Sequence, residues 1–461
     1  MNMPVWKRLI ERPDLLFLLL AIPFGLLFLA LVPPLGNSDE SFHYQRIASI
    51  AYFQLMNEPA SIPSGIQVFI QAGQDFFHEG LAPPFHYPHS QWQAMAHVPL
   101  HSCFPPGMQP NYMTVHNPFN YLPQAIAFRI GAAIGLTPMS LLYLSRLIAL
   151  AMGIGLTYAA IRTAPTHKYL LCALALLPVI SVTRSALNAD TLVESLAFLF
   201  VALILRTIQN AKTLQLRDMA LIAATGFAMA QCKTPYGFLL LLTAAIPPER
   251  FTSARTRIFF LILSILPAIA CSLAWMIAIK NSTFAGLQYH TWGGDAYPQM
   301  QTLFILHHPL DFLCTLLRTL FTTPLLPVSI LGIVRDMGLG SGFYLSIPVT
   351  FAVIYCFIAT AIADPTSSTH YPANLKTLSA FIFIIAFTAI MALLYIHWSG
   401  LESPLISGFQ GRYFYPLLPL LFPFIKTSSK KLMSQKPGTY ILLMGCGGLA
   451  MTGFMLFTNY Y

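Results

Sequence analysis

Two adjacent carboxylates follow the first long apolar run of the chain, in the segment "VPPLGNSDESFHYQRI" at residues 32–47. On a helix Asp39 and Glu40 would point about 100° apart, so at most one of them can easily serve as a general base. A carboxylate in a partly dehydrated cleft can take a proton from an attacking hydroxyl group, and burial raises its basicity. The same pattern fits a helix N-terminus with Ser38 or Asp39 as N-cap, and the two interpretations are compatible.

An arginine stands at the start of a later apolar run, "SGFQGRYFYPLLPLLFPF". The guanidinium of Arg412 is permanently charged and binds phosphate through two parallel hydrogen bonds, so it suits the phosphate of a lipid-linked substrate. The alternative is an interfacial anchor whose charged head reaches water, with Tyr413 and Tyr415 forming an aromatic belt.

Further polar residues stand at the ends of other apolar runs. The segments "TRSALNAD" and "CKTPYG" contribute Arg184, Asn188, Asp190 and Lys233, and His397 closes another run. Charges at such positions are costly unless they line a hydrated cavity or have a partner, so each is a candidate for function. Each residue of the two segments could equally be a helix cap, part of a buried ion pair or part of a turn.

The composition defines the elements that must position these residues. Of the 461 residues, 56% are hydrophobic and 9% are charged, whereas an ordinary soluble domain has about a quarter charged residues. The chain is therefore an integral membrane protein. The net charge of +9 comes from short basic clusters between apolar runs, which orient membrane proteins and do not indicate a nucleic-acid partner.

Apolar runs and their breakers predict an all-α polytopic bundle of about eleven spans. The predicted spans cover residues 15–32, 141–161, 169–183, 190–205, 219–232, 236–247, 258–279, 343–363, 378–396, 413–425 and 440–458. With the N-terminus in the cytoplasm, sixteen of the 25 basic residues fall on the inner side, as the positive-inside rule requires. Residues 119–136 and 303–333 are predicted to lie at, or dip into, the outer interface.

This topology makes residues 1–461 a single membrane domain with two large extracytoplasmic segments. The first, 33–140, is expected to form an ordered cap of short interfacial helices, and the second covers 281–342. Histidines in the first segment, His86, His89, His97 and His101, have the density of a metal site but not its helical spacing. They are interpreted as interfacial histidines.

Five motifs in order resemble a known family. They are "PPLGNSDESFHY", "HNPFNYLPQAIAFRIGAAIGL", "LLPVISVTRSALNADTLVESLAFLFVALILR", "AMAQCKTPYGFLLLL" and "QGRYFYPLLPLL". Together they resemble a bacterial family of uncharacterised polytopic membrane proteins grouped with the GT-C superfamily of membrane glycosyltransferases. The resemblance implies a GT-C-like bundle, a polyprenyl-phosphate-linked sugar donor and a catalytic carboxylate in the first outer loop. By position that carboxylate is Asp39, with Glu40 next to it, although the prolines that flank the acids in the family are absent here.

The resulting prediction is a glycosyltransferase of the bacterial cytoplasmic membrane that acts on its outer side. It would move a sugar from the lipid-linked donor to a cell-envelope glycan or lipid-linked acceptor. Asp39 would orient or deprotonate the acceptor, while Arg412, helped by Arg184 or Lys233, would stabilise the departing phosphate. His43 and Asn188 are candidate sugar contacts.

Several alternatives stay open. Asp39 and Asp190 together could hold a divalent metal, Mg²⁺ or Mn²⁺, but no ligand pattern supports this. The chain could instead be a transporter or flippase of lipid-linked sugars, or a factor, polymerase or ligase for surface-polysaccharide assembly. Transporters commonly contain internal repeats, and none is evident in this sequence.

Overall fold

The computed structural model describes residues 10–56, 62–78, 89–101, 111–210, 212–280, 290–291, 294–295, 297–321, 332–337, 343–368, 371–425 and 436–461. These residues are almost entirely helical, and the α-helices are numbered in chain order. They are α1 Pro13–Leu31, α2 Glu40–Ala51, α3 Ser64–His78, α4 His89–Ala96, α5 Leu122–Ala133, α6 Pro138–Thr163, α7 Lys168–Ala175, α8 Pro178–Arg184, α9 Asp190–Gln209, α10 Leu216–Cys232, α11 Ala254–Lys280, α12 Pro298–His307, α13 Pro309–Phe321, α14 Gly332–Arg335, α15 Ile347–Ala363, α16 Ala373–Trp398, α17 Pro437–Leu443 and α18 Ala450–Tyr460.

Other helical segments and one small sheet complete the described chain. The 3₁₀-helices cover Tyr112–Val115, Pro118–Tyr121, Thr234–Ala245, Pro248–Arg250, Pro365–Ser368 and Gly411–Phe424, and a π-helical turn, Met444–Leu449, joins α17 to α18. Two short antiparallel strands, β1 His290–Thr291 and β2 Gly294–Asp295, form the sheet.

Six helical stretches in the described residues are long and apolar enough to cross a bilayer. They are Pro13–Leu31, Pro138–Thr163, Asp190–Gln209, Ala254–Ile279, Ala373–Trp398 and Pro437–Tyr460. The helices α12 and α13 meet at 106° and would add a seventh span if counted as one. The helical membrane fold is thus confirmed. The other five predicted spans coincide with shorter or broken helices, so the number eleven stays a prediction.

The helix α9 forms the centre of the bundle. It packs against α6, α10 and the 3₁₀-helix Gly411–Phe424, and 89% of its apolar stretch is buried. A glycine permits the close approach of α6, because a Cβ atom at Gly153 would lie 2.8 Å from Thr191 and 2.9 Å from Arg184. By contrast, only 17% of the apolar stretch of α11 is buried, and this helix presents apolar side chains outward, as a lipid-facing helix does.

The segment 33–140 contains short helices in its described part, namely α2, α3, α4 and α5. The helix α5, within the predicted interfacial stretch 119–136, has 12 residues. At 1.5 Å per residue it is too short to cross a hydrocarbon core of about 30 Å.

Candidate functional site

The two adjacent carboxylates have different surroundings. Glu40 and Arg146 form an ion pair in which both side chains are 0% exposed, with Nε to Oε1 at 2.7 Å and Nη2 to Oε2 at 2.6 Å. Arg146 also donates to the carbonyls of Val32 and Pro33, and Glu40 accepts from the backbone N–H of Leu187 at 2.9 Å. Glu40 therefore links the end of α1, the start of α2, α6 and the turn before α9. These contacts use both of its oxygens, and we assign it a structural role.

Asp39 occupies the N-cap position of α2 but does not cap it through its side chain. Its backbone is left-handed, with φ at 62° and ψ at 8°, and its carbonyl accepts the N–H groups of Phe42 and His43. Aspartate tolerates this conformation better than most residues, and such backbone strain is common at functional sites. The side chain is partly exposed and lies within electrostatic range of Arg412, Tyr413 and Tyr121.

Three charged side chains from three separate elements meet at the first turn of α9. The carboxylate of Asp190 contacts the ammonium of Lys233 through Oδ1, and its Oδ2 lies 3.1 Å from Nε of Arg412. Asp190 and Arg412 are each 5% exposed in their side chains, and Lys233 is 14% exposed. The ring of Tyr413 lies beside both cations, 4.9 Å from Lys233 Nζ and 5.7 Å from the guanidinium carbon of Arg412.

Local sequence explains these positions. Asn188 accepts the backbone N–H groups of Asp190 and Thr191 at 2.8 and 2.9 Å, so it caps α9 and fixes Asp190 in its first turn. Lys233 is extended between α10 and the next 3₁₀-helix, because Pro235 cannot continue an α-helical hydrogen-bond ladder. Arg412 is the second residue of a 3₁₀-helix that contains three prolines.

Arg412 keeps unused donors in this buried cluster. Within the described chain, its Nη1 has no hydrogen-bond partner, and the Nε–H bond is not aligned with the nearby Asp190 oxygen. A buried guanidinium donor without a partner is costly. The burial of Arg412 also excludes the interfacial-anchor interpretation, which needs a head group in water. The arrangement is suited to an anion that would accept these donors.

A group of aromatic and imidazole side chains borders the charged cluster. Nδ1 of His43 lies 2.8 Å from the hydroxyl of Tyr121, and the rings of His43 and His116 stack with centroids 6.5 Å apart. Burial, and then the neighbouring His116 and Arg412, lower the pKa of His43 well below its ordinary value. Burial and the nearby Lys233 lower the pKa of His116 to about 3. Both imidazoles are therefore neutral at pH 7.

A polar cleft opens beside Lys233. It lies between α10, α11 and the segment around residue 116, and its enclosed volume is about 20 Å³. Its lining includes His116, Asn117, Gln231, Lys233, Ser272 and Trp275. Sequence reasoning missed Tyr121, His116 and Trp275. Tyr121 and His116 lie in the motif "HNPFNY", but Trp275 has no sequence signal because it lies inside an apolar run.

The structure thus brings together six of the predicted site residues and separates four. Those in the site are Asp39, His43, Asp190, Lys233, Arg412 and Tyr413. Glu40 and Asn188 have the structural contacts described above. Arg184 pairs with Glu194 at 3.2 Å, one turn along α9 from Asp190, and His397 has an exposed side chain at the end of α16.

Comparison with protein families is consistent with this membrane architecture. A family model described as a predicted membrane protein, DUF2142, matches residues 22–421. The chain belongs to the DUF2142 family. No curated protein and no solved structure matches it. The match covers every residue of the charged cluster in this DUF2142 protein.

The donor set of the DUF2142 protein does not fit a metal. In the described ranges, no group of three or more His, Cys, Asp or Glu side chains lies close enough to hold an ion. Both oxygens of Asp190 face cations, which would compete with a metal for them. Of the four histidines in the first segment, His86 and the side chain of His89 lie outside the described residues. His97 contacts the carbonyl of Gln93 at 2.7 Å, and His101 is exposed.

The neutral histidines predict a loss of stability in acid. The unfolded chain protonates its histidines near pH 6.5, whereas folded His116 stays neutral down to about pH 3. The unfolded state therefore binds more protons between these values, and stability falls as the pH falls through this window. At pH 5 the effect of His116 is up to about 2 kcal/mol.

Melting temperatures of the purified protein at pH 7.5 and pH 5 measure this effect. We expect the decrease between the two values to be smaller for His116→Gln than for the wild type. His101→Gln controls for the loss of an exposed imidazole. Equal decreases in the wild type and His116→Gln would contradict the prediction.

Proposed function

We propose that this protein is a GT-C-type membrane glycosyltransferase that uses a polyprenyl-phosphate-linked sugar donor. The observation that carries the proposal is the buried guanidinium of Arg412, with unused donors beside Lys233 and a nearby carboxylate, Asp39. The two cations can stabilise a departing phosphate, and the partly exposed acid can take the proton of an attacking hydroxyl group. The acceptor would be a cell-envelope glycan or a lipid-linked molecule.

In the proposed reaction, the acceptor oxygen forms a bond to the anomeric carbon of the sugar as the bond from that carbon to the phosphate oxygen breaks. Asp39 takes the acceptor proton, and the electron pair of the broken bond stays on the phosphate. Arg412 and Lys233 stabilise the growing phosphate charge. Asp190 holds both cations in place, and neutral His43 can contact a sugar hydroxyl without adding charge.

The proposed topology places this site at the outer face of the bacterial cytoplasmic membrane, with the N-terminus inside and about eleven spans. Two observations support it. Asp39, Asp190, Lys233 and Arg412 are assigned to the outer side by the distribution of basic residues, and they converge in space. In addition, each of the eleven predicted spans coincides with a helical segment.

Replacement of Asp39 by asparagine tests the proposal. We expect Asp39→Asn to reduce sugar transfer by about 10²- to 10⁴-fold, because the amide cannot accept the acceptor proton. Transfer is measured in liposomes with a panel of polyprenyl-phosphate sugars and envelope acceptors on the same side, which separates transfer from translocation. Asp311→Asn is the control, since that carboxylate is 68% exposed and distant in sequence. Near-normal transfer by Asp39→Asn would remove Asp39 from the mechanism.

A further inference from the structure

The cleft beside Lys233 has the chemistry of a site for an uncharged, hydroxyl-rich ligand. Asn117, Gln231, Thr234 and Ser272 supply neutral polar groups to its lining, and Trp275 supplies an aromatic surface. Among the described lining residues, Lys233 is the only side chain with a permanent charge, and His116 is neutral at pH 7. This lining offers many hydrogen-bonding groups but little countercharge for an anion.

Trp275 is held rigidly at the edge of this cleft. Its Nε1–H donates to the carbonyl of Val115 at 3.3 Å, and the guanidinium of Arg46 lies 5.6 Å from the ring centroid. Arg46 is itself fixed, since it donates to the carbonyls of Leu55 and His116 at 2.7 and 3.3 Å. A fixed indole is a good platform for a sugar ring, because the C–H groups on one sugar face carry partial positive charge and pack on the negative face of an aromatic ring.

The polar floor of the cleft is also pre-organised. Gln231 accepts a hydrogen bond from the side chain of Asn117 at 3.2 Å and donates to Ser272 at 3.3 Å. The three residues come from the segment at 117, from α10 and from α11, so the hydrogen bonds fix the width of the cleft. The enclosed part of the cleft is small, about 20 Å³, so a bound ring would lie at its mouth, against Trp275.

Lys233 connects the cleft to the charged cluster. Its ammonium contacts Asp190, which in turn lies against Arg412, while Lys233 also lines the cleft. A ligand with a phosphate at Arg412 could therefore place the group attached to that phosphate in the cleft. The charged cluster suits the phosphate of a sugar phosphate ester, and the largely uncharged cleft suits its sugar.

We infer that the transferred sugar of the donor binds at the mouth of this cleft, and that this sugar is an uncharged ring stacked on Trp275. The inference rests on the proposed function, since it assigns the phosphate of the same donor to Arg412. It adds a chemical class of sugar and a specificity-determining residue. An acidic sugar would place a carboxylate beside Lys233, the one cation among the described lining residues, which is already paired with Asp190.

Binding measurements with donor fragments test the inference. The probes are polyprenyl phosphate, its esters with glucose, galactose and mannose, and its ester with glucuronic acid, each titrated into the purified full-length protein. At least one neutral ester should bind roughly tenfold more tightly than bare polyprenyl phosphate, the size expected for one aromatic contact. The glucuronic acid ester should show no such gain.

Substitution of Trp275 then tests whether its indole is the source of the tighter binding of the neutral ester. Trp275→Leu should abolish the advantage of the neutral ester and leave the affinity for bare polyprenyl phosphate unchanged, while Trp275→Phe should keep part of it. Leu273→Ala, at an exposed position of the same helix, is the control. A gain that survives Trp275→Leu, no gain for any neutral ester, or a larger gain for glucuronic acid would overturn the inference.

Failure of the proposed function gives a different result. Wild-type protein that does not bind bare polyprenyl phosphate would count against the phosphate site at Arg412. In that case, soluble methyl glycosides test the cleft alone. Binding that requires Trp275 would support a sugar site there, and its absence would overturn the inference as well.

Discussion

Glu40→Gln is expected to destabilise the protein by about 3–5 kcal/mol, the cost of leaving one member of a buried ion pair without its partner. The pair has ideal geometry for this effect, because both side chains are 0% exposed and two nitrogens of Arg146 contact the two oxygens of Glu40 at 2.6 and 2.7 Å. Glutamine has nearly the same shape but no charge. The guanidinium would keep its bonds to Val32 and Pro33 and lose its countercharge.

Thermal unfolding in detergent, followed by size-exclusion chromatography, measures the loss. Asp39→Asn is a matched control one residue away, and it should melt close to the wild type because Asp39 is partly exposed. The double variant Glu40→Gln with Arg146→Met should lose less stability than the sum of the single changes, since it removes both charges. Equal melting temperatures for Glu40→Gln and Asp39→Asn would refute the assigned structural role.

For these adjacent acids, the sequence predicts the local structure but not the distant partner of Glu40. The segment after α1 was identified from its carboxylates at the end of an apolar run, and the start of α2 follows the predicted helix N-terminus. The partner of Glu40 is 106 residues away, in the interior of α6. No local pattern specifies such a pair, because an arginine inside an apolar run predicts burial but does not identify its counterion.

The membrane fold could be predicted because the bilayer constrains it strongly. Apolar runs located the long helices, and the predicted spans around 169–183 and 236–247 also coincide with helical segments. Sequence did not show that the first of these is broken at Leu176 and Leu177, nor that Thr234–Ala245 is a 3₁₀-helix. These details depend on contacts between segments far apart in the chain, such as those of α7 with α1 and α15 and those of Thr234–Ala245 with α16.

The site was predicted in part because charges at membrane depth are rare. That rule selected Asp190, Lys233 and Arg412, which meet although they are far apart in the chain. The rule also selected Arg184, whose charge is matched by Glu194 and which lies outside the cluster. This rule does not select neutral residues such as Tyr121 and Trp275, and aromatic side chains are too common in a membrane protein to indicate a site.

Arg412→Gln is expected to remove most of the preference of the protein for a phosphorylated lipid over the neutral one. The buried guanidinium has an unused Nη1 donor within the described residues, and a phosphate oxygen would satisfy it with a charge-assisted hydrogen bond. Glutamine removes the charge and most of the donors. Loss of a single donor to a developing anion typically reduces turnover by 10²- to 10³-fold, so we expect sugar transfer to fall by at least about 100-fold.

The measurement compares the affinity of the purified protein for polyprenyl phosphate and for the corresponding polyprenol. Wild-type protein should bind the phosphate far more tightly, and Arg412→Gln should keep only the small part of this preference that Lys233 supplies. Arg412→Lys should be intermediate because an ammonium lacks the planar pair of donors. Arg129→Gln removes one positive charge from an exposed residue that the proposed topology also assigns to the outer side, and it is the control.

Arg412 also helps to balance the charge of Asp190, and this role must be separated from phosphate binding. If that were its whole role, Arg412→Gln would lower stability, and addition of Asp190→Asn would restore both stability and the preference for phosphate. Under the proposed function the double variant regains stability but not the full preference for phosphate, since the guanidinium is gone and only Lys233 of the two cations is left for the phosphate. A phosphate preference restored to the wild-type level in the double variant would therefore reduce Arg412 to a partner of Asp190 and remove the central support for a lipid-phosphate substrate.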